Sequence, residues 1–181
     1  ESVVRLMAPV LSFTADEIWG RMPGSRDEFV FTGVWYDGLF GLSANEVLDN
    51  DAWTSVLSVR AEVNKALELA RKENVIGGGL EAEVTLYASD ELTALLSTLE
   101  DELRFVLITS KAQVKPLAEA PASAAKTEID GLSVTVEKSS AEKCSRCWHH
   151  HESVGKNEAH VELCERCITN IDGAGELRKF A

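Results

Sequence analysis

Two short cysteine pairs near the end of the sequence constrain this chain more than anything else in it. Cys144-Ser145-Arg146-Cys147 and Cys164-Glu165-Arg166-Cys167 hold all four cysteines of the 181 residues, with sixteen residues between the pairs. A two-residue spacer lets both sulfurs of a pair reach adjacent corners of one tetrahedral ion. Two pairs complete a four-thiolate shell and leave no position for a substrate. The pattern predicts one structural zinc ion per chain, held by Cys144, Cys147, Cys164 and Cys167. Two disulfides or a redox pair are the competing readings. Disulfides belong to oxidising compartments, and nothing in the sequence marks it as secreted. A thioredoxin-like motif needs a single pair at a helix start beside a βαβ unit. His149, His150 and His151 follow the first pair, so a substitute ligand is at hand. The completed thiolate shell argues against one, and the histidines are expected to face solvent or a partner.

The surrounding segment, 139–181, has few large apolar side chains: Trp148, Val154, Val161, Leu163, Ile168, Ile171, Leu177 and Phe180. A stretch of about forty residues seldom folds on so little hydrocarbon. Zinc binding supplies roughly 10–16 kcal/mol in such modules, more than the whole stability of most domains. The segment is therefore expected to be unfolded without metal. Gly155 suits a turn, and 160–163 a short strand into the second pair, which together suggest a zinc ribbon. Arg146 and Trp148 flank Cys147, where the metal would hold them rigidly. An arginine and a tryptophan side by side suit an unpaired base, which stacks on the ring while the guanidinium meets a base edge or phosphate. The other reading makes Trp148 the core of the module and Arg146 a solvated side chain. Both are open at the level of sequence.

Upstream, residues 1–22 read as two short helices, the first interrupted by Pro9. Thr14-Ala15-Asp16-Glu17 has the capping-box form, with Thr14 as N-cap and Glu17 reaching back, and Pro23-Gly24 ends the second helix. Residues 25–42 read as a loop packed on those helices by Phe29, Phe31, Trp35 and Tyr36. A long helix is expected from about Ala44 to Glu73, started by Ser43 with Glu46. Its apolar stripe is Trp53, Val56, Leu57, Val63, Leu67 and Ala70. Arg60 interrupts the stripe and needs a carboxylate or a groove as partner, with RNA contact as the alternative. Asn74 to Gly79 reads as a C-cap and hinge. A phosphate loop would instead precede a helix and carry Gly-Lys-Ser/Thr.

From Leu80 the period changes to two, with Ala82, Val84, Leu86 and Ala88 on one face of a strand. Ser89-Asp90 caps a helix whose apolar face is Leu92, Leu95, Leu96, Leu99, Leu103 and Val106. Further strands are expected near 112–117 and at Leu132, Val134 and Val136, separated by a linker marked by Pro116 and Pro121. No paired carboxylates, Ser/His/Asp set or cysteine nucleophile can be assembled upstream of the cysteine pairs, so no catalytic residue is expected.

Net charge is −12, which argues against nucleic acid as the partner of the chain as a whole. Residues 139–181 carry six Lys/Arg and seven Asp/Glu, however, so nearly all the negative charge lies upstream. A near-neutral module can touch RNA locally while other parts of a longer protein supply the attraction. The sequence begins at Glu1 and runs straight into helix-like residues, which suggests a fragment. No apolar run suits a membrane. With no apolar stripe left over, a monomer is expected.

Five stretches resemble the bacterial isoleucyl-tRNA synthetase family of class I aminoacyl-tRNA synthetases. Leu11-Ser12-Phe13-Thr14-Ala15-Asp16-Glu17-Ile18-Trp19 and Trp35-Tyr36-Asp37-Gly38-Leu39 are similar to its anticodon-binding helical domain. The stretch from Val63-Asn64-Lys65-Ala66-Leu67-Glu68 through Ile76-Gly77-Gly78-Gly79-Leu80-Glu81-Ala82 resembles a helix and junction shared with valyl and leucyl enzymes, with Gly78 where Ser is usual. Lys143 to His149 and the closing Gly175 to Ala181 look specific to the isoleucyl enzyme. The resemblance implies a multidomain α plus α/β fold. Its parts would be a portion of the anticodon-binding bundle at 1–76, a small α/β junction at 77–138 and a four-cysteine zinc ribbon at 139–181. It implies a cytoplasmic parent enzyme that joins isoleucine to its tRNA with ATP. The ATP-site signatures His-Ile-Gly-His and Lys-Met-Ser-Lys-Ser are absent, as is the editing domain, so this chain should be inactive alone and bind no ATP. Its implied partner is isoleucine tRNA, met by Arg146 and Trp148, with Arg60 as a further candidate; neither DNA nor a membrane is implied. The rivals are the zinc finger of a DNA-repair glycosylase and a non-enzymatic zinc-ribbon interaction module.

Overall fold

The computed structural model describes residues 1–42 and 46–180. They fall into two units, Glu1–Asp49 and Asn50–Ala181. In the first, α1 (Ser2–Met7) and α2 (Ser12–Arg21) enclose Val4, Ala8, Ala15 and Trp19 with Val30 from a following 3₁₀ turn. Pro9 marks the break, and the amides of Val10 and Leu11 both return to Met7 O. Helix α2 starts at Ser12, two residues before the expected cap. Thr14 and Glu17 are inside the helix, and no side chain caps its start. Trp19 is 1% exposed and donates its indole N–H to Asp27 O at 2.8 Å. The guanidinium groups of Arg5 and Arg26 lie 5.3 and 5.0 Å from its ring centroid. The expected burial of Phe29, Phe31, Trp35 and Tyr36 is not found, since all four are exposed, and Tyr36 meets α1 through the Arg5 guanidinium, 5.9 Å from its ring centroid. Val30 takes the inward position of that loop, and its neighbours Phe29 and Phe31 are turned out.

The second unit begins with α3 (Asn50–Lys72). The expected start at Ala44 and its cap Ser43 lie outside the described residues, but 46–49, also expected to be helical, are not helix. The buried stripe is Val56, Val59, Val63, Leu67 and Ala70, at spacings of three and four; Leu57 is exposed, and Val59 takes its place. Glu62 is buried on the same face, accepting from Lys65 Nζ at 2.7 Å and Glu128 N at 3.0 Å. Asn74, at φ 59°, ends the helix rather than the glycines. Val75 N–H returns to Ala70 O and Asn74 N–H to Arg71 O, the paired bonds of a Schellman cap. Gly79 has a separate reason: a Cβ there would lie 2.8 Å from Ile108 O.

Strand β1 (Ala82–Ala88) follows, with Ala82, Val84, Leu86 and Ala88 buried as its alternation predicts. Helix α4 (Asp90–Ser97) starts at the expected cap, Ser89. The expected single helix is broken: after a 3₁₀ turn, α5 (Leu103–Leu107) continues the apolar face with Leu107 buried. Then come β2 (Lys111–Pro116), β3 (Ala125–Lys126) and β4 (Leu132–Lys138). The sheet order is β2-β1-β4-β3. Strand β1 pairs parallel with β2, from Glu83↔Lys111 to Ala88↔Pro116, and antiparallel with β4, from Ala82↔Lys138 to Ala88↔Leu132. The helical crossover α4–α5 is what a parallel pair requires. Pro116 ends an edge strand, where a missing amide is tolerated. Among the described residues, no helix is long and apolar enough to cross a membrane.

Candidate metal centre

All four cysteine sulfurs lie within 4.8 Å of one another, and Cys144, Cys164 and Cys167 are buried. The four are free thiols, so the disulfide reading does not hold. Local folding puts them there. The first knuckle is closed by Cys144 N–H to His149 O and Trp148 N–H to Cys144 O, both 2.9 Å, and by an isolated bridge between Lys143 and His150. The second knuckle opens α6 (Glu165–Asp172), with Cys164 as its N-cap residue. The expected strand at 160–163 is instead a turn. Asn157 Oδ1 accepts from the amides of Ala159 and His160, and Leu163 N–H returns to His160 O. Gly155, at φ +85°, makes the expected turn and donates to Val161 O.

The donor set fits zinc: four sulfurs in a tetrahedral-sized cluster, with N–H groups aimed at them. Cys164 N–H points at Cys144 Sγ at 3.3 Å, and Arg146 Nη1 at Cys167 Sγ at 3.6 Å. Burial opposes ionisation of Cys144, but the amides of Cys147, Cys164 and Arg146 outweigh it and lower the thiol to about 6. Burial pushes Cys164 up to about 12 and raises Cys167 as well. Such thiols do not all ionise in the absence of a cation, and a bound divalent ion would hold them as thiolates.

No histidine joins the cluster, nor do the histidines simply face solvent. His150 Nδ1 donates to Ala141 O at 2.7 Å, His151 Nδ1 pairs with Ser153 Oγ at 2.7 Å, and His160 Nε2 meets Asp172 Oδ2 at 2.6 Å. His149 Nδ1 meets Cys147 O at 3.2 Å, and its ring lies edge-on to Phe105. Burial, with the charges of Arg104, Arg166 and Arg178 adding to it, holds His149 below the ordinary imidazole value.

Trp148 is not the core of the module. It is 60% exposed, with a backbone φ of 66°, and Lys143 Nζ lies 5.3 Å from its ring centroid. Arg146 is exposed too, but its guanidinium is engaged at Cys167 rather than merely solvated. Arg60 is half-buried on α3, and its Nε has no hydrogen-bond partner. The carboxylate expected for it is not found among the described residues. Sequence reasoning missed Phe105, which meets three guanidinium groups and the His149 edge.

A zinc-finger family described as found in FPG and IleRS matches residues 141–170. An isoleucine–tRNA ligase of Psychromonas ingrahamii is 73% identical over all 181 residues of this chain, which cover 19% of the relative. Isoleucine–tRNA ligases of Vibrio atlanticus and Vibrio campbellii are 61% and 60% identical over the same span, again 19% of their length. The similarity extends far beyond the zinc finger, which disfavours the glycosylase reading. From end to end the chain is similar to a stretch of these isoleucine–tRNA ligases, and it spans 19% of their length.

Proposed function

We propose that this chain is the C-terminal, tRNA-holding region of an isoleucine–tRNA ligase, and that its zinc knuckle meets the anticodon arm. The parent would join isoleucine to its tRNA with ATP in the cytoplasm, using catalytic and editing parts outside this chain. We place the end of an anticodon-binding bundle at 1–76, a junction at 77–138 and the metal module at 139–181. The single observation that carries the reading is the exposed Trp148 ring, fixed in place beside the metal cluster. A large aromatic face left in water on a rigid loop suits an unpaired base, and stacking is worth roughly 1–3 kcal/mol per base. Arg146 shares the knuckle and serves both Cys167 and RNA. Arg60, half-buried on α3, is a further contact in the proposal. The acidic charge of the chain leaves long-range attraction of RNA to the rest of the parent.

The test is Trp148→Ala in the full-length ligase. The KM for tRNA should rise about tenfold or more, the loss of one stacked base, while ATP-dependent activation of isoleucine stays unchanged. If both activities fell together, Trp148 would be a structural residue and the reading would fail.

A further inference from the structure

We propose that Phe105 and Glu102 are positioning residues: they clamp segment 175–180 across the seam between the sheet and the metal module, and so fix where Trp148 points. The functional half of this inference rests on the RNA reading above. A metal ion sets the internal geometry of its own module. It does not set the orientation of that module against the sheet, which depends on bonds that cross the seam.

Those bonds converge on one short stretch. The Phe105 ring, on α5, has the guanidinium carbons of Arg178, Arg104 and Arg166 at 4.1, 4.2 and 5.0 Å from its centroid. The His149 ring meets it edge-on at 5.8 Å and 77°. One side chain of the sheet unit thus touches segment 175–180, α6 and the first knuckle together. Three guanidinium groups around one ring would repel one another without nearby carboxylates. Asp101 takes Arg104 at 2.8 Å, and one oxygen of Glu176 takes Arg166 and Arg178, each at 3.0 Å. Glu102 then accepts two consecutive backbone amides, Lys179 N and Phe180 N, both at 2.7 Å. On its other side the segment is tied to α6: Glu176 N–H donates to Asn170 Oδ1 at 3.0 Å, and Gly175 turns the chain at φ +88°. A second tie, His150 N–H to Ser110 Oγ at 2.6 Å, lies just past Trp148. Trp148 therefore sits between a cysteine of the four-sulfur cluster and two histidines held by the sheet unit.

The experiment uses two variants, Phe105→Leu and Glu102→Ala, first in the zinc-loaded 181-residue chain. Both should keep one zinc per chain and speed exchange of the Lys179 and Phe180 amides by about tenfold or more, the loss of a few cation–π or charged hydrogen-bond contacts. Phe105→Tyr, which keeps the ring, should restore slow exchange. In the full-length ligase both variants should raise the KM for tRNA several-fold and leave isoleucine activation unchanged, while Phe105→Tyr should keep the natural KM. Unchanged amide exchange in both variants overturns the clamp, as does loss of zinc. Faster exchange with an unchanged tRNA KM, where Trp148→Ala does raise it, overturns the positioning role. If Trp148→Ala itself leaves the tRNA KM unchanged, the RNA reading is what has failed, and amide exchange alone decides the clamp.

Discussion

The sheet and the metal module sit side by side in one chain and are held together by different means. Strand β1 buries five of its seven residues, and Leu96, Leu99, Leu103 and Leu107 close over the sheet unit as a continuous hydrocarbon core. In the metal module the buried cluster is Cys144, Cys164 and Cys167, with Cys147, Val154 and Leu163 against it. Several of its larger apolar residues face water: Leu177 is 99% exposed and Ile171 48%. Hydrocarbon stabilisation is spread over many small contacts, so one loss weakens it by a part. Stabilisation by four thiolates is concentrated at one point, so its loss removes everything.

The largest expected effect tests that contrast directly. Chelation at neutral pH, or Cys144→Ser, should unfold the metal module outright, since roughly 10–16 kcal/mol of folding free energy goes with the ion. Helices α3 to α5 and the sheet should stay folded. Circular dichroism with metal analysis checks this, and an unchanged zinc content in Cys144→Ser would sink the four-cysteine assignment. A smaller effect should come from Leu86→Ala in β1, where a fully buried leucine is lost. About 2–5 kcal/mol of stability should go, read by urea denaturation, with the zinc content still one per chain. Loss of zinc there would mean that the two regions are not separately stabilised.

The smallest effect is electrostatic. Burial works to raise Glu176, but the hydrogen bond from Arg178, the charge of Arg166 and the bond from Asn170 outweigh it and hold its carboxyl below the usual 4.5. A depressed folded value means that this stabilisation is complete above the unfolded value and is lost as pH falls through the folded one. Segment 175–180 should therefore loosen only below pH 4.5, ahead of the sheet. Exchange spectroscopy on the Gly175 and Glu176 amides reads this, and loosening at neutral pH would contradict it.

The metal centre was legible because its information is local: a two-residue spacer, repeated, is enough to specify a knuckle. Strand β1 was legible for the same reason: Ala82, Val84, Leu86 and Ala88 are buried as the alternation predicts, although Tyr87 on the other face is buried as well. Other expectations failed where competing interactions won. Thr14 and Glu17 formed a capping box on paper, but Met7 O draws the chain through Val10 and Leu11 so that α2 is already under way at Ser12. The strand expected at 160–163 lost to the Asn157 side chain, whose bonds to two amides favour a turn. The aromatic loop showed that aromatic content does not say which residue faces inward, because Val30 filled the only inward place. The Phe105 cluster and the Glu102 clamp were invisible, since residues seventy-seven positions apart share no local pattern.

The left-handed backbone at Trp148 sets stability against usefulness at a single position. Side chains with a Cβ reach that conformation at a cost of roughly 1–2 kcal/mol, and glycine does so freely. Trp148→Gly should therefore give a module that folds and holds zinc at least as well as the natural one, measurable by competitive zinc titration, while presenting nothing to stack on. Weaker zinc binding in that variant would mean that the ring also supports the knuckle. Otherwise selection for robustness alone would have removed the tryptophan, and what keeps it there has to come from outside the fold.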